Sequence, residues 1–374
     1  MANNKIAVLV SFSGQGGVER SFALLVNEIA ALGVDVDLLL IKRKSPHLAA
    51  LSPAVNQIPL KRQHAATCVS EVADYLKKEA PQALLVAKHR AMLAALRARK
   101  KARTNTPITG VIGINVTQSL AHRSRFQRWH WGWLMRNEYP KLNGIIAVSE
   151  GVREDLLNTT GMPADRVIAI KNPVTTAEMI REAQTSVDHP WLGEDFDEPV
   201  LITVGRLTKN KDHQTLLEAF RFINDTVPSR LLILGEGPER ARLEKIITET
   251  DLADRVQLPG FVDTPWAWMA KSSLFVLSSF AEGSGNVLTE AMAVGTPVVS
   301  TDCPSGPSEM LDGGRIAPLV PVGDAEALAA ACINVLNSGI ASSLLDEAVA
   351  PFKAEVAAKH YLAFMNVSVP SSTD

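Results

Sequence analysis

FAEGSGNVLTEAMAVGTPVVSTD, Phe280 to Asp302, sets two glutamates eight residues apart with three small residues just after the first. The apolar LFVLSS before it reads as a strand, EGSG as a glycine loop, and NVLTEAMAV as a helix closed by Gly295 and Pro297. TPVVST then begins another strand, so the stretch carries the strand, loop, helix and strand of a parallel α/β sheet. Glu282 falls in the loop at the strand's end and Glu290 a turn or so into the helix, where both are expected to face one cleft. Gly283 and Gly285 admit close backbone approach, and the N–H groups of Ser284, Gly285, Asn286 and Val287 are expected to point at the occupant. A carboxylate beside a helix N-terminus stays ionised and accepts from vicinal hydroxyls. Sugar or ribose fits that chemistry better than a metal, for which two separated carboxylates are few. Taken singly, Glu290 also reads as a surface helix charge.

The same alternation runs outward in both directions. KIAVLVSF, DVDLLLI, ALLVA, TGVIGIN, GIIAVS and RVIAI read as strands of one series. PVLITVG, RLLILGEG, RVQLPG, LFVLSS and TPVVST form a second, after a polar stretch, Thr175 to Pro199, that suits a linker or surface excursion. The fold class is α/β with two Rossmann-like doubly wound domains, residues 1–178 and 179–350. A helix over 351–366 and a tail over 367–374 follow.

At 374 residues, 46% hydrophobic and 21% charged, the chain exceeds one ordinary core and has the composition of a soluble globular protein. The N-terminal residues lack a signal-peptide pattern and no run of about 18 apolar residues appears, so a cytosolic location is expected. Cys68, Cys303 and Cys332 are too scattered for a disulfide framework and read as buried thiols. Charge is divided: residues 1–180 hold 24 Lys+Arg against 13 Asp+Glu, and residues 181–374 hold 14 against 27. Pro81 to Asn137 has eleven basic residues and no acid. A basic first half implies an anionic partner.

Three further motifs carry chemistry. In SFSGQGGVERS, glycines follow a strand and open a helix, which gives either an anion-binding loop or a plain tight turn. It is not a full dinucleotide fingerprint, and no acid stands at the end of the second strand to hold a ribose. In VGRLTKNKDH, Arg206 and Lys211 follow a strand end, the edge where open α/β sheets bind ligands. Two cations there suit a diphosphate, whose leaving charge they would neutralise; two solvated loop charges are the alternative. In HRSRFQRWHWGWLMRN, arginines alternate with Trp129, Trp131 and Trp133, which suits an anionic lipid surface or, equally, core tryptophans under a solvated basic face.

Together these pieces resemble the family-four retaining glycosyltransferases of the GT-B fold, group 1. The resemblance spans nearly the whole chain: GQGGVER, AVSEGVREDL, IKNPV, VGRLTKNKD, ILGEGPER, LPGFVD, EGSGNVLTEAMAVGTPVVSTDCPSGPSEML and PVGDAEALAAA. It implies two domains facing across a cleft, with the 351–366 helix packing back on the first. It further implies that Arg206 and Lys211 contact the donor diphosphate, Glu282 lies near the donor sugar and Glu290 binds ribose hydroxyls. Arg206, Lys211 and Glu282 would be the catalytic set. Gly16, Gly17, Gly205, Ser284, Gly285, Asn286 and Val287 would complete the donor site.

Two departures bear on the acceptor side and the sugar. Where many members carry a histidine after the strand matching TGVIGIN, Asn115 stands; His122 and Arg123 follow as further acceptor-side candidates. Ser284 and Gly285 replace bulkier residues. The implied activity is metal-independent hexosyl transfer from a nucleotide-diphosphate sugar, with no cofactor. The acceptor would be a glycan or a lipid-linked sugar of bacterial polysaccharide or lipopolysaccharide synthesis. The implied partners include an anionic membrane surface reached through residues 122–136 at the inner face of the cell membrane, and no nucleic acid. A catalytically silent subunit of the same fold and a sugar-nucleotide epimerase are the rival readings. A nicotinamide oxidoreductase comes last.

Overall fold

The structure, a computed structural model, describes residues 4–14, 17–121, 123–304 and 306–370. The chain divides into two compact units, Met1–Val174 with Phe352–Asp374, and Thr175–Pro351.

The first unit is built on a seven-stranded parallel sheet: β1 (Lys5–Phe12), β2 (Asp35–Arg43), β3 (Val55–Pro59), β4 (Ala83–Ala87), β5 (Ile108–Ile112), β6 (Gly144–Ala147) and β7 (Val167–Ala169). Their order is β3-β2-β1-β4-β5-β6-β7. Strand β1 shows why KIAVLVSF is an unbroken apolar run rather than an alternating one. Ala7 and Leu9 enter one core layer, while Ile6, Val8, Val10 and Phe12 enter the other, because helices cover both faces. The edge strand β3, VNQIP, escapes a reading of apolar runs: only Val55 is buried, and a proline closes it. The Ala354–Phe364 helix lies against the Gly17–Ala31 helix and places Ala358, Tyr361 and Leu362 in the layer that holds Ile6 and Val8.

The second unit holds a six-stranded parallel sheet, β8 (Val200–Val204), β9 (Arg230–Leu234), β10 (Val256–Gly260), β11 (Leu274–Leu277), β12 (Val298–Thr301) and β13 (Leu319–Val320), ordered β10-β9-β8-β11-β12-β13. The stretch Thr175 to Pro199, read as a linker or surface excursion, is an ordered part of this unit. Thr176 caps the Ala177–Glu182 helix by accepting from Met179 N; Met179 and Leu192 are buried, and Arg230 lies over the Trp191 ring at 5.3 Å. Three well-placed apolar anchors suffice where average composition is polar. Among the described residues, no single helix is long and apolar enough to cross a membrane.

In each sheet the strand order reverses beside the central strand, between β1 and β4 and between β8 and β11. At such points successive crossovers leave on opposite faces, and the carboxyl ends of the two strands border a crevice where ligands bind.

Candidate active site

The reversal in the second sheet brings together residues that lie about 70 positions apart in sequence. Arg206 and Lys211 follow β8, and Glu282 follows β11. Lys211 Nζ lies 2.6 Å from Glu282 Oε1, with the two side chains only 17% and 13% exposed. Ser279 Oγ donates to the same carboxylate oxygen at 2.7 Å. The two loops are stitched further by Phe280 N donating to Asn210 O and by Ser278 Oγ donating to Lys211 O. Arg206 is exposed, and among the described residues its guanidinium makes no ion pair. The site therefore presents one anchored cation and one available cation at the edge where an anion is expected.

Glycines make this closeness possible. A Cβ on Gly235 (φ 141°) would stand 1.8 Å from Gly205 O, and one on Gly237 would stand 2.3 Å from Leu207 O. The loop after β9 thus lies directly on the loop carrying Arg206, where Gly205 N donates to Leu234 O and Leu207 N to Glu236 O. At Gly205 itself a Cβ would press on Lys211 Cε at 3.3 Å, so the missing side chain leaves the lysine its path.

Gly285, in the left-handed region at φ 68°, caps the Asn286–Ala293 helix. Ser284 is buried, with the backbone of Gly306 close against it, while Asn286 and Val287 are half-buried. Glu290 is not the surface charge its position alone allows: it is 8% exposed and accepts a hydrogen bond from Trp266 Nε1 at 3.2 Å. Cys303 lies near the ion pair. Its thiol is pushed up to about 12 by burial, with the Glu282 carboxylate acting in the same direction, so it is inert there.

In the first unit the reversal between β1 and β4 pairs Glu19, from SFSGQGGVERS, with Lys88, which no motif announced. Lys88, just beyond β4, adopts φ 72°, unusual for a side-chain-bearing residue, and its Nζ contacts Glu19 Oε1 at 2.7 Å and Ser11 O at 3.2 Å. Glu19 is 6% exposed, at the start of the helix that Gly17 opens. Of the acceptor-side candidates, Asn115 is half-buried, and strand β5 stops at Ile112, short of the expected end at Asn115. The chain leaves the sheet because Asp155 draws in the next helix, accepting from Val116 N at 2.6 Å and Thr117 N at 3.1 Å. Arg123 is exposed, whereas Gly16 and His122 lie outside the described residues. Among the described residues, no three His, Cys, Asp or Glu side chains converge as a metal site would require.

A family model described as Glycosyltransferase Family 4 matches residues 15–178, and one described as Glycosyl transferases group 1 matches residues 198–338. The chain belongs to the family 4 glycosyltransferases. It is 28% identical to the Rhizobium meliloti lipopolysaccharide core biosynthesis glycosyltransferase LpsE over 369 residues, 94% of this chain and 96% of that one. It is 32% identical over 184 residues to a Campylobacter jejuni protein, the N-acetylgalactosamine-N,N'-diacetylbacillosaminyl-diphospho-undecaprenol 4-alpha-N-acetylgalactosaminyltransferase. That match covers 49% of this chain and about half, 48%, of the relative. Anabaena HepE, solved with UDP and glucose, superposes with a TM-score of 0.78 at 18% identity, covering 97% of this chain and 100% of that one. A lipopolysaccharide outer core galactosyltransferase, WaaB, gives 0.73 at 20% identity, covering 97% and 99%. These structural likenesses establish the GT-B fold for the glycosyltransferase.

Two histidines of this glycosyltransferase record how dry its strand ends are. Burial pushes both His89 and His213 down to about 4. Both are therefore neutral at pH 7, while an unfolded imidazole takes up its proton near pH 6.5. Because the unfolded chain binds more protons below that value, stability is full above about pH 6.5 and declines as pH falls towards 4. The urea midpoint is expected to drop between pH 7.5 and pH 5, and His213→Gln to flatten that drop. An unchanged slope in the variant would remove His213 from the account.

Proposed function

We propose that the protein is a retaining hexosyltransferase that moves a sugar from a nucleotide-diphosphate sugar to a glycan or lipid-linked acceptor in bacterial cell-surface polysaccharide or lipopolysaccharide synthesis. The observation that carries this reading is the cation pair at the β8–β11 reversal, Lys211 locked to Glu282 beside the exposed Arg206. In this reading the C1–O bond of the donor opens and its electron pair passes to the diphosphate, whose charge Arg206 and Lys211 meet. The acceptor hydroxyl attacks C1 from the face the diphosphate leaves, and its proton goes to the departing phosphate oxygen, so configuration is kept. No metal or cofactor takes part, since the two cations supply the counter-charge. Glu282 fixes Lys211 and borders the sugar; Glu290, steadied by Trp266, accepts from the ribose hydroxyls. Gly205, Ser284, Gly285, Asn286 and Val287 shape the donor site, and Asn115, His122 and Arg123 of the first unit serve the acceptor.

The relatives support this assignment. HepE is described in complex with UDP and glucose, LpsE by lipopolysaccharide core biosynthesis, and the Campylobacter enzyme by a diphospho-undecaprenol substrate. A lipid-linked acceptor places the work in the cytoplasm at the inner face of the membrane. Incubating the protein with a panel of nucleotide sugars and lipid-diphosphate acceptors, and reading the anomeric coupling of the product by NMR, tests the reading. An inverted product would end it, and an epimerised donor formed without acceptor would favour an epimerase. Glu290→Gln is expected to weaken nucleoside diphosphate binding by about 10- to 100-fold in calorimetric titration, the range for a lost hydrogen bond to a charged group. Unchanged affinity would take the ribose contact away from Glu290.

A further inference from the structure

The Arg125–Glu138 helix of the first unit, RFQRWHWGWLMRNE, buries only Met135, although it runs for 14 residues. Ser124 starts it by accepting from Gln127 N. Phe126, Trp129 and Trp133 are 71%, 64% and 51% exposed. At 3.6 residues per turn the three fall within about 60° of one another, on the side opposite Met135. Trp131 differs from its neighbours. It packs against the core with its ring edge-on to His89 at 4.5 Å, so the sequence grouping of three interfacial tryptophans reduces to two tryptophans and a phenylalanine. Arg125 and Arg136 flank this apolar stripe on one side, with exposed Arg128 next to Arg125 around the helix. Elsewhere in the acid-free stretch Arg99 is taken up by the fold, donating to Asn143 Oδ1 and to the Lys141 carbonyl.

Three large aromatic side chains held in water on one helix face are an interaction surface, not ordinary scatter. The surrounding charge selects the partner. No acid occurs from Pro81 to Asn137, and Glu138 is paired with Lys141. Indole favours the headgroup boundary, where its ring meets acyl chains and its N–H stays wet, and arginine beside it meets lipid phosphate. We propose that this helix docks the first unit on an anionic bilayer. It lies in the headgroup plane, with Phe126, Trp129 and Trp133 entering the acyl boundary and Arg125 and Arg128 on phosphates. The docking takes its purpose from the lipid-linked acceptor proposed above, but as a physical surface it is independent of that reading.

The full-length protein, mixed with vesicles of phosphatidylcholine alone or with one-quarter phosphatidylglycerol, is expected to sediment with the anionic set. Binding should weaken as salt shortens the Debye length from about 30 Å at 0.01 M to about 8 Å at 0.15 M. Arg125→Gln with Arg128→Gln should weaken it about thirtyfold. Trp129→Ser with Trp133→Ser should abolish quenching of the remaining tryptophan fluorescence by brominated lipid. Both double variants replace exposed side chains, so circular dichroism and transfer to a short soluble acceptor should match wild type. The proposal is overturned by equal binding to neutral and anionic vesicles, by full quenching in the tryptophan variant, or by a dimer that this variant dissolves in a protein that ignores vesicles. Vesicle binding without sugar transfer to any acceptor would instead refute the proposed function and leave the docking surface standing.

Discussion

Arg206→Ala is expected to lower turnover by about 10²–10³, the usual consequence of losing one electrostatic contact to a developing charge, with the melting temperature unchanged because the side chain is exposed. Lys211→Ala should lose turnover to a similar degree and stability as well. Its removal strands Glu282, 13% exposed, with the Ser279 hydroxyl in place of a cation. A fully buried pair broken in this way costs about 3–5 kcal/mol; partial exposure brings the expectation to about 1–3 kcal/mol. The two effects can be separated. Lys211→Met combined with Glu282→Gln removes the charge mismatch, so the urea midpoint should recover most of the way while turnover does not. Recovery of both would make the pair a structural bridge with no part in transfer. Near-wild-type kinetics for Arg206→Ala and Lys211→Ala together would take the diphosphate site elsewhere.

The second large effect comes from a residue with no side chain. Gly235→Ala places a methyl group 1.8 Å from a backbone oxygen of Gly205, at φ 141°. No rotamer relieves a clash with backbone, so one of the two loops must move. Backbone strain and overpacking each cost about 1–3 kcal/mol, giving about 4 kcal/mol together. Whatever folds should also turn over slowly, because the displaced loop is the one holding Arg206. Gly295→Ala provides the comparison: it shares the positive φ, at 85°, but nothing lies within 4 Å, so only a backbone cost of about 1 kcal/mol is expected. Equal urea midpoints for the two variants would contradict the close approach of the loops.

The architecture was legible because parallel strands covered on both faces leave long Val- and Ile-rich runs, as KIAVLVSF and PVLITVG do. Strands with little apolar content were not: VNQIP buries one apolar residue, and LV (β13) is two residues long. The strand and loop pattern set Lys211 and Glu282 each at a strand end; that they meet follows from the reversal of strand order between β8 and β11, which apolar runs do not disclose. Which of the basic residues would be anchored was hidden, because it depends on the reach of Glu282 across the sheet. Trp266 and Lys88 were hidden for the same reason: each matters through a partner distant in sequence, Glu290 and Glu19, and carries no local pattern. The exposure of Phe126, Trp129 and Trp133 and the inward turn of Trp131 likewise follow from which face of the Arg125–Glu138 helix meets the sheet layer. Aromatic spacing at i, i+3 and i+7 fits a buried stripe equally well.

The Ala354–Phe364 helix also sets the order in which the molecule can be finished at the ribosome. Tyr361 and Leu362 share a core layer with Ile6 and Val8, yet they are made roughly 350 residues later, a delay of about 20–70 s at ordinary synthesis rates. Throughout that time the first sheet lacks part of the cover for one of its faces. The second unit, contiguous over Thr175–Pro351, has all its own strands by then. The domain that is born first is therefore the last to close, and until then one of its apolar faces stays partly uncovered on the nascent chain.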